Sequence, residues 1–262
     1  MAAEVLTKHD LNILQKIQTP KPIKSFLIVG QDLPRDPHLL DDSIYQEVAL
    51  QERESIARVL DLERQEEKSL THPSAEMVAR YQEAIKIFNG IIEKHPSYAS
   101  VYNNRAQALR RLFGDTILLA ASKGDISQIE DNYNNEKALV DAAERILSDF
   151  SQCIALLSPA TPWTPISQQA CNTLAQAHMQ RGALYYATSK RWMENPQLKV
   201  TIGEGWSEHG WTAEDFEDAA SSEFMLAGRY GNQMGQVLAV QANPMAKLCG
   251  QVMKKVLKNN VT

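Results

Sequence analysis

The chain has 262 residues, of which 44% are hydrophobic and 23% are charged, so it can bury one sizeable core. Its formal charge of −5, from 27 basic and 32 acidic residues, argues against a dedicated nucleic-acid-binding protein. Three cysteines argue against a disulfide framework, and no apolar run approaches the roughly 20 residues of a membrane span. Because the first residues lead into no apolar signal core, the sequence predicts a soluble, cytoplasmic protein.

Residues 1–45 form a predicted N-terminal arm, ahead of a domain that fills 46–262. Pro20 and Pro34 bracket a short apolar stretch at 26–29, and proline interrupts regular structure. The stretch is compatible with a strand, but no partner strand is evident. We therefore expect it to pack onto a helical surface, as part of a partly ordered extension.

Helical periodicity dominates the chain from Glu47 onward. Apolar residues recur at helical spacing up to Lys68, and a second helix is predicted from near Ser74 to His95, just before Pro96. These two segments form a predicted helical hairpin. Almost no alternation of period two follows them, so the sequence predicts an all-α fold.

A phenylalanine followed three residues later by a small or apolar residue occurs three times, at Phe88, Phe150 and Phe216. Helical segments with a small residue at the centre, Ala106 or Gly182, precede the later two. Such a residue lets a bulky ring of the neighbouring helix approach closely. The phenylalanines lie further apart than the about 34 residues of short helical repeats. Two predicted insertions account for the excess, at 114–135 and 190–210.

Two adjacent segments resemble tetratricopeptide repeats. Residues 81–96 resemble the second helix of such a repeat, with Ala84 and Phe88 at the motif positions. Tyr102 and Ala106 occupy the aromatic and small positions of the first helix of the next repeat.

A closer resemblance is to the family of tetratricopeptide repeat proteins numbered thirty-six. The segments that carry it are Tyr102-Asn-Asn-Arg-Ala-Gln-Ala108, Gln180-Arg-Gly182, Asp215-Phe-Glu-Asp-Ala-Ala220 and Asn243-Pro-Met-Ala-Lys-Leu-Cys249. The resemblance implies a right-handed superhelix of three tetratricopeptide-like hairpins with a C-terminal capping helix pair within 230–262. It also implies a cytosolic adaptor without catalytic activity, linked to heat-shock 70 chaperone binding and to tyrosine catabolism.

In such a stack the first helix of each hairpin lines a concave groove that binds an extended or helical partner segment. The candidate groove residues lie on these first helices: Asn103, Asn104, Gln107, Arg110, Gln176 and Gln180. Arg110 and Arg111 would supply positive charge for an acidic segment. Asn104 matches the amide of the clamp that holds a chaperone's acidic tail, but the basic positions of the third unit are the neutral Gln176 and Gln180. The clamp is therefore incomplete, and Asn104 alternatively bridges neighbouring helices.

The second insertion places Trp206 and Trp211 among three glycines. Exposed rings there would anchor a folded partner, since aromatic residues are favoured at interfaces; alternatively, the rings fold back over the repeat hairpin. The alternative function is therefore a stabiliser of a folded metabolic enzyme, bound through this insertion. A third is homo-oligomerisation through the cap, whose residues 243–262 hold four lysines and no acid.

Catalysis is not predicted. The six histidines have no metal-ligand spacing, and His178 is expected in the core. The cysteines are interpreted as structural, because no basic residue near Cys171 would lower the pKa of its thiol. We therefore expect no enzyme activity, no metal and no cofactor.

Overall fold

The computed structural model describes residues 29–66, 74–120, 136–161 and 163–243, together with Met245, Cys249 and Val252. The α-helices of these residues are α1 (Asp42–Glu66), α2 (Ala75–Lys94), α3 (Ala99–Phe113), α4 (Glu136–Leu157), α5 (Gln168–Glu194), α6 (Ala213–Arg229) and α7 (Gln233–Ala242). Within the same residues, four strands of two residues each form two separate pairs, and the prediction of an all-α fold is confirmed. Among the described helices, none combines the length and apolar composition needed to cross a bilayer.

The helices pack in chain order. α1 packs on α2, α3 on α4 and α5 on α6, as three successive pairs, and α7 covers α6. Contacts between α2 and α3, and between α4 and α5, join the pairs, while α3 also contacts α5. One continuous core therefore runs along the stack, as expected when each pair buries its apolar face against the next.

The repeated phenylalanines lie in this core, with exposures of 2% or less: Phe88, Phe150 and Phe216. A Cβ atom at Gly182 of α5 would lie 2.9 Å from the ring of Phe224 on α6, so this glycine permits a close helix approach. The ring beside Gly182 is Phe224 rather than Phe216. Phe216 instead packs against Tyr185 and Trp211.

Local capping explains several helix ends. The Ser74 hydroxyl accepts a hydrogen bond from the Met77 N–H at 3.1 Å and starts α2 where the sequence predicted. α3 stops at Gly114, which adopts a φ of 90° that favours glycine. Thr212 and Asp215 form a capping box at the start of α6.

The described part of the arm is fastened beside the first residues of α3 and α5. Val29–Gly30 (β1) pairs in parallel with Ile166–Ser167 (β3), which is the partner strand that was not evident from the sequence. Two-residue strands leave no periodic pattern to read. The buried Asp36 carboxylate accepts a hydrogen bond from the Ala99 N–H at 3.1 Å and so caps α3, whose own N-cap residue offers no side-chain bond. Residues 1–28 of the predicted arm lie outside the described residues.

The two insertions pair with each other at the opposite end of α3. Leu119–Ala120 (β2) pairs antiparallel with Lys199–Val200 (β4). The Thr201 N–H donates to the Leu118 carbonyl at 3.0 Å, and Leu118 is fully buried. A 3₁₀-helix at Ser207–Gly210 completes the second insertion. Residues 121–135 of the first insertion, and most of the predicted cap beyond residue 243, lie outside the described residues.

Candidate functional site

An open pocket lies between α1, α2 and α3. It holds about 390 Å³ of empty space, part of which is open to solvent. Its apolar lining comes from all three helices: Ile56, Val59, Leu60, Tyr81, Ala84, Phe88 and Ala108. Its polar lining residues are Glu63, Asn104, Gln107 and Arg111. An apolar cavity edged by a few polar groups is the usual form of a binding site.

The buried carboxylate of Glu52 accepts hydrogen bonds from residues on one side of the pocket. Asn104 Nδ2 donates to Glu52 Oε1 at 2.6 Å, and the Tyr98 hydroxyl donates to Glu52 Oε2 at 2.7 Å. Burial raises the pKa of Glu52 above its ordinary value, while the hydrogen bonds from Tyr98 and Asn104 oppose that rise. Asn104 therefore bridges α1 and α3, which is the alternative role that the sequence left open for it.

Gln107 and Arg111 are the pocket's polar groups with capacity for a ligand. No hydrogen bond joins Gln107 to another described residue. Arg111 Nε lies 3.8 Å from Glu63 Oε1, and the Arg111 side chain is 60% exposed. Because an exposed ion pair of this kind contributes at most about 1 kcal/mol, a ligand group can replace it at little cost. Glu63 also accepts a hydrogen bond from the Tyr81 hydroxyl, which fixes its position.

The gap between α3 and α5 is closed by Arg110. Its buried guanidinium donates to the Gln180 backbone carbonyl at 3.0 Å and also to the Gln180 side-chain oxygen. Arg110 Nη2 donates to Asp115 Oδ1 at 2.7 Å. Arg110 and Gln180 therefore hold two first helices together. Gln176 lies exposed on α5, outside the pocket.

The predicted groove residues do not act as one set. Asn104 and Gln107 line the pocket, whereas Arg110 and Gln180 bind each other. Contrary to expectation, Asn103 is only 1% exposed and does not face a partner. Neighbouring helix positions point about 100° apart, so Asn103 and Asn104 cannot face the same side. Within the described residues, the Asn103 Oδ1 atom has no hydrogen-bond partner.

Sequence reasoning missed the contribution of α1 to the pocket. Ile56, Leu60 and Glu63 line it at spacings of four and three residues, which place them on one helix face. That spacing is visible in the sequence. The sequence did not show which side of α1 packs on α2, because large apolar residues such as Leu50 also occur on the exposed side of this helix.

The tryptophans of the second insertion fold back onto the stack. Trp206 and Trp211 are partly buried and pack against the core, and the Trp211 ring centroid lies 5.1 Å from that of Phe216. Of the two alternatives for these rings, the structure shows the one that covers the repeat hairpin. Trp163, in the connection between α4 and α5, is instead 63% exposed.

His178, Cys153 and Cys171 take structural positions in the core. His178 lies in the core, where its Nδ1 is 2.9 Å from Glu223 Oε2 and its ring stacks on Tyr230. Cys153 and Cys171 are buried, and burial raises the pKa of the Cys153 thiol to about 12. Within the described ranges, no three His, Cys, Asp or Glu side chains come together as a group able to hold a metal.

Comparisons with known proteins give two relatives that match nearly end to end. The chain is 32% identical over 257 residues to the L-tyrosine degradation gene cluster protein hmgX of Aspergillus fumigatus, a match that covers 98% of this chain and 93% of the relative. It is 25% identical over 251 residues to the tetratricopeptide repeat protein 36 homolog of Drosophila pseudoobscura pseudoobscura. This match covers 95% of this chain and 93% of the relative. No family model and no solved structure matches. Given the identity and coverage of the fungal match, the chain belongs to the family of the L-tyrosine degradation gene cluster protein hmgX.

Proposed function

We propose that the protein is a non-catalytic scaffold that binds a segment of a protein partner in the pocket between α1 and α3. The open pocket itself carries this proposal, since its largely apolar lining offers a site for an apolar side chain of the partner. Gln107 and Arg111 stand at its edge with capacity to bind the partner's backbone or an acidic group. The residues that fix the pocket's walls, Glu52 and Asn104, act on α1 and α3 and not on the partner.

The partner that we propose is a cytoplasmic enzyme of tyrosine degradation. The name of the fungal relative places that protein in an L-tyrosine degradation gene cluster. An enzyme segment with an apolar anchor would suit the pocket better than a purely acidic tail, because Arg110 is engaged inside the stack. The heat-shock 70 chaperone, implied by the family resemblance, is the second candidate partner.

The test uses the full chain and two variants with matched chemistry. Leu60→Asp places a carboxylate in the pocket at a residue that is 41% exposed, so we expect the variant to fold. Leu40→Asp makes the same change at a 70% exposed leucine outside the pocket and serves as the control. Titration calorimetry would measure each protein against purified tyrosine-degrading enzymes and against an acidic peptide with the sequence of the heat-shock 70 tail.

We expect at least one enzyme to bind the wild type and Leu40→Asp equally, and Leu60→Asp at least about tenfold more weakly. Equal binding by all three proteins would show that the pocket is not the site. Binding of the tail peptide alone, lost in Leu60→Asp, would assign the pocket to the chaperone and exclude the enzyme. Conversion of a substrate by the purified protein alone would overturn the non-catalytic role.

A further inference from the structure

The pocket between α1, α2 and α3 carries its charged side chains at one end. Glu63 follows the lining residue Ile56 by seven positions on α1. Arg111 follows the lining residue Asn104 by seven positions on α3. Seven residues of an α-helix span about 10 Å. Because Arg111 Nε lies 3.8 Å from Glu63 Oε1, the two charged groups meet at the same end of this length, which is called the charged end below.

The far end of the pocket offers a ligand little polar capacity. Asn104 Nδ2 donates to Glu52 Oε1 at 2.6 Å and to Ser100 Oγ at 3.5 Å, so its amide hydrogens are engaged within the fold. Ile56 and Phe88 line the pocket between the helices. A ligand therefore meets mainly apolar side chains along the pocket and charge at Glu63 and Arg111.

Both groups at the charged end can accept a ligand. The Tyr81 hydroxyl and Arg111 Nε both approach Glu63 Oε1, and among the described residues no hydrogen bond is made to Glu63 Oε2. The Arg111 side chain is 60% exposed, so most of its donors face solvent. Gln107 lies one helical turn before Arg111 on the same side of α3. The charged end can therefore bind a cationic and an anionic group at once.

The presence of both signs of charge selects the kind of ligand. A carboxylate alone would pair with Arg111 but would stand close to Glu63, and like charges oppose binding. An ammonium group alone would meet the opposite difficulty. A ligand with both groups keeps every charge paired, and it replaces one exposed ion pair by two. A free α-amino acid carries an ammonium and a carboxylate on one carbon atom at neutral pH.

We propose that this pocket binds a free α-amino acid with an apolar side chain. The ligand carboxylate accepts hydrogen bonds from Arg111 and Gln107, since a planar guanidinium suits a carboxylate. The ligand ammonium donates to Glu63. The ligand side chain then extends from the charged end toward Ile56 and Phe88. An internal segment of a protein has neither charged group in its main chain, so this ligand differs in kind from a partner segment.

Binding of the amino acid needs the pocket alone, whereas its consequence rests on the proposed function. A partner segment with an apolar side chain in the same pocket would compete with the amino acid. The free amino acid would therefore release the partner as its concentration rises above its own dissociation constant.

Titration calorimetry on the full-length wild type tests binding with L-phenylalanine and L-leucine as probes. Phenylpropanoate lacks the ammonium group of phenylalanine, phenylethylamine lacks its carboxylate, and L-alanine lacks the large side chain. We expect phenylalanine or leucine to bind with a dissociation constant of about 1 mM or lower. Each of the three analogues should bind at least about tenfold more weakly, because it loses one of the required contacts.

Four variants separate the charged end from exposed charge in general. Arg111→Gln and Glu63→Gln each remove one charge at the pocket. Arg58→Gln and Glu83→Gln make the same changes in an exposed ion pair of 3.3 Å that also joins α1 to α2 but does not line the pocket. Circular dichroism spectra would establish that all four are folded. The two pocket variants should bind the amino acid at least about tenfold more weakly, and the two controls within about twofold of the wild type.

Three results would overturn the proposal. The first is no binding of phenylalanine or leucine to the folded wild type at concentrations up to about 10 mM. The second is equally tight binding of phenylpropanoate and phenylethylamine, which would show an apolar pocket that ignores the two charges. The third is an equal loss of binding in the pocket variants and in the controls.

A competition titration keeps this proposal distinct from the proposed function. We expect saturating amino acid to weaken binding of the partner at least about tenfold. If the amino acid binds but the partner's affinity is unchanged, the amino acid site is supported and the partner binds elsewhere.

Discussion

The spaces on either side of α3 differ, although the same kind of helix forms both. On the α1 side, a mainly apolar lining leaves an open pocket edged by Gln107 and Arg111. On the α5 side, the long Arg110 side chain reaches across and bonds to Gln180. The difference shows that a repeat stack need not bind along its whole length. A single buried cation can turn part of a groove into a structural joint.

Both spaces share α3 as a wall. Breaking the contact between α3 and α4 should therefore lower the free energy of unfolding more than the other changes described below. Arg105 donates two hydrogen bonds, at 2.6 and 2.8 Å, to the Asp149 carboxylate, and both side chains are buried. Asp149→Ala would leave the guanidinium buried without its counter-ion. We expect the free energy of unfolding to fall by about 3–5 kcal/mol, as measured by urea denaturation.

The double variant Arg105→Met/Asp149→Leu separates the charge from the packing. Replacing a buried ion pair by apolar side chains of similar size is often nearly neutral. The double variant should therefore recover most of the loss seen in Asp149→Ala. A double variant as unstable as the single one would show that shape, rather than the unpaired charge, dominates at this site.

Arg110→Met would break the joint between α3 and α5 while keeping an apolar stem. We expect a loss of about 2 kcal/mol in the free energy of unfolding, because Gln180 and Asp115 lose their charged donor. Partner affinity measured on the folded variant should stay within about twofold of the wild type. A large fall in affinity without a change in stability would instead give Arg110 a direct role in binding.

Asn104 and Gln107 should separate stability from binding within the pocket itself. Asn104→Ala removes a donor to the buried Glu52, and we expect it to lower the free energy of unfolding by about 1–2 kcal/mol. Gln107→Ala should keep the free energy of unfolding within about 0.5 kcal/mol of the wild type, and it should instead weaken binding of the partner. Thermal melts and calorimetric titrations of both variants would check this division, and reversed effects would contradict it.

The smallest expected effect is a difference in pH dependence between the two sides of α3. Burial raises the pKa of Glu52 beside the pocket, so its contribution to stability is present at low pH and is lost as pH rises through its folded pKa. Burial also raises the pKa of Glu223 behind α5, but hydrogen bonds from His178 and Arg181 outweigh this and lower it overall. Its contribution is therefore present at neutral pH and is lost as pH falls through its lowered folded pKa.

Glu52→Gln should accordingly stabilise the protein at neutral pH, whereas Glu223→Gln should destabilise it. Both differences from the wild type should change as the solution becomes acidic, with opposite signs. Urea unfolding from about pH 3 to about pH 7 would measure them. Equal signs for the two variants would contradict the contrast between the two carboxyl groups.

Features fixed by local chemistry were predictable from the sequence. The start of α2 at Ser74 and the end of α3 at Gly114 follow from capping, and the three repeated phenylalanines follow from helical periodicity. The bridging role of Asn104 was one of the two alternatives that the sequence left open.

Features fixed by distant partners were not predictable. From the sequence alone Arg110 is interpreted as a free cation, because its hydrogen-bond partner Gln180 lies 70 residues away along the chain. The two strand pairs are only two residues long, so neither has an alternating pattern. Asn103 and Asn104 are adjacent in the sequence, and only the packing of α3 decides which one faces the pocket.

The pairing of β2 with β4 makes the two insertions one structural unit. If only 190–210 were deleted, the main-chain groups of Leu119 and Ala120 would lose their partners, and the buried side chains of Ile117 and Leu118 would be uncovered. If only the first insertion were deleted, the main-chain groups of Lys199 and Val200 would lose their strand partners. We therefore expect a shortened chain to remain stable only if both insertions are removed together.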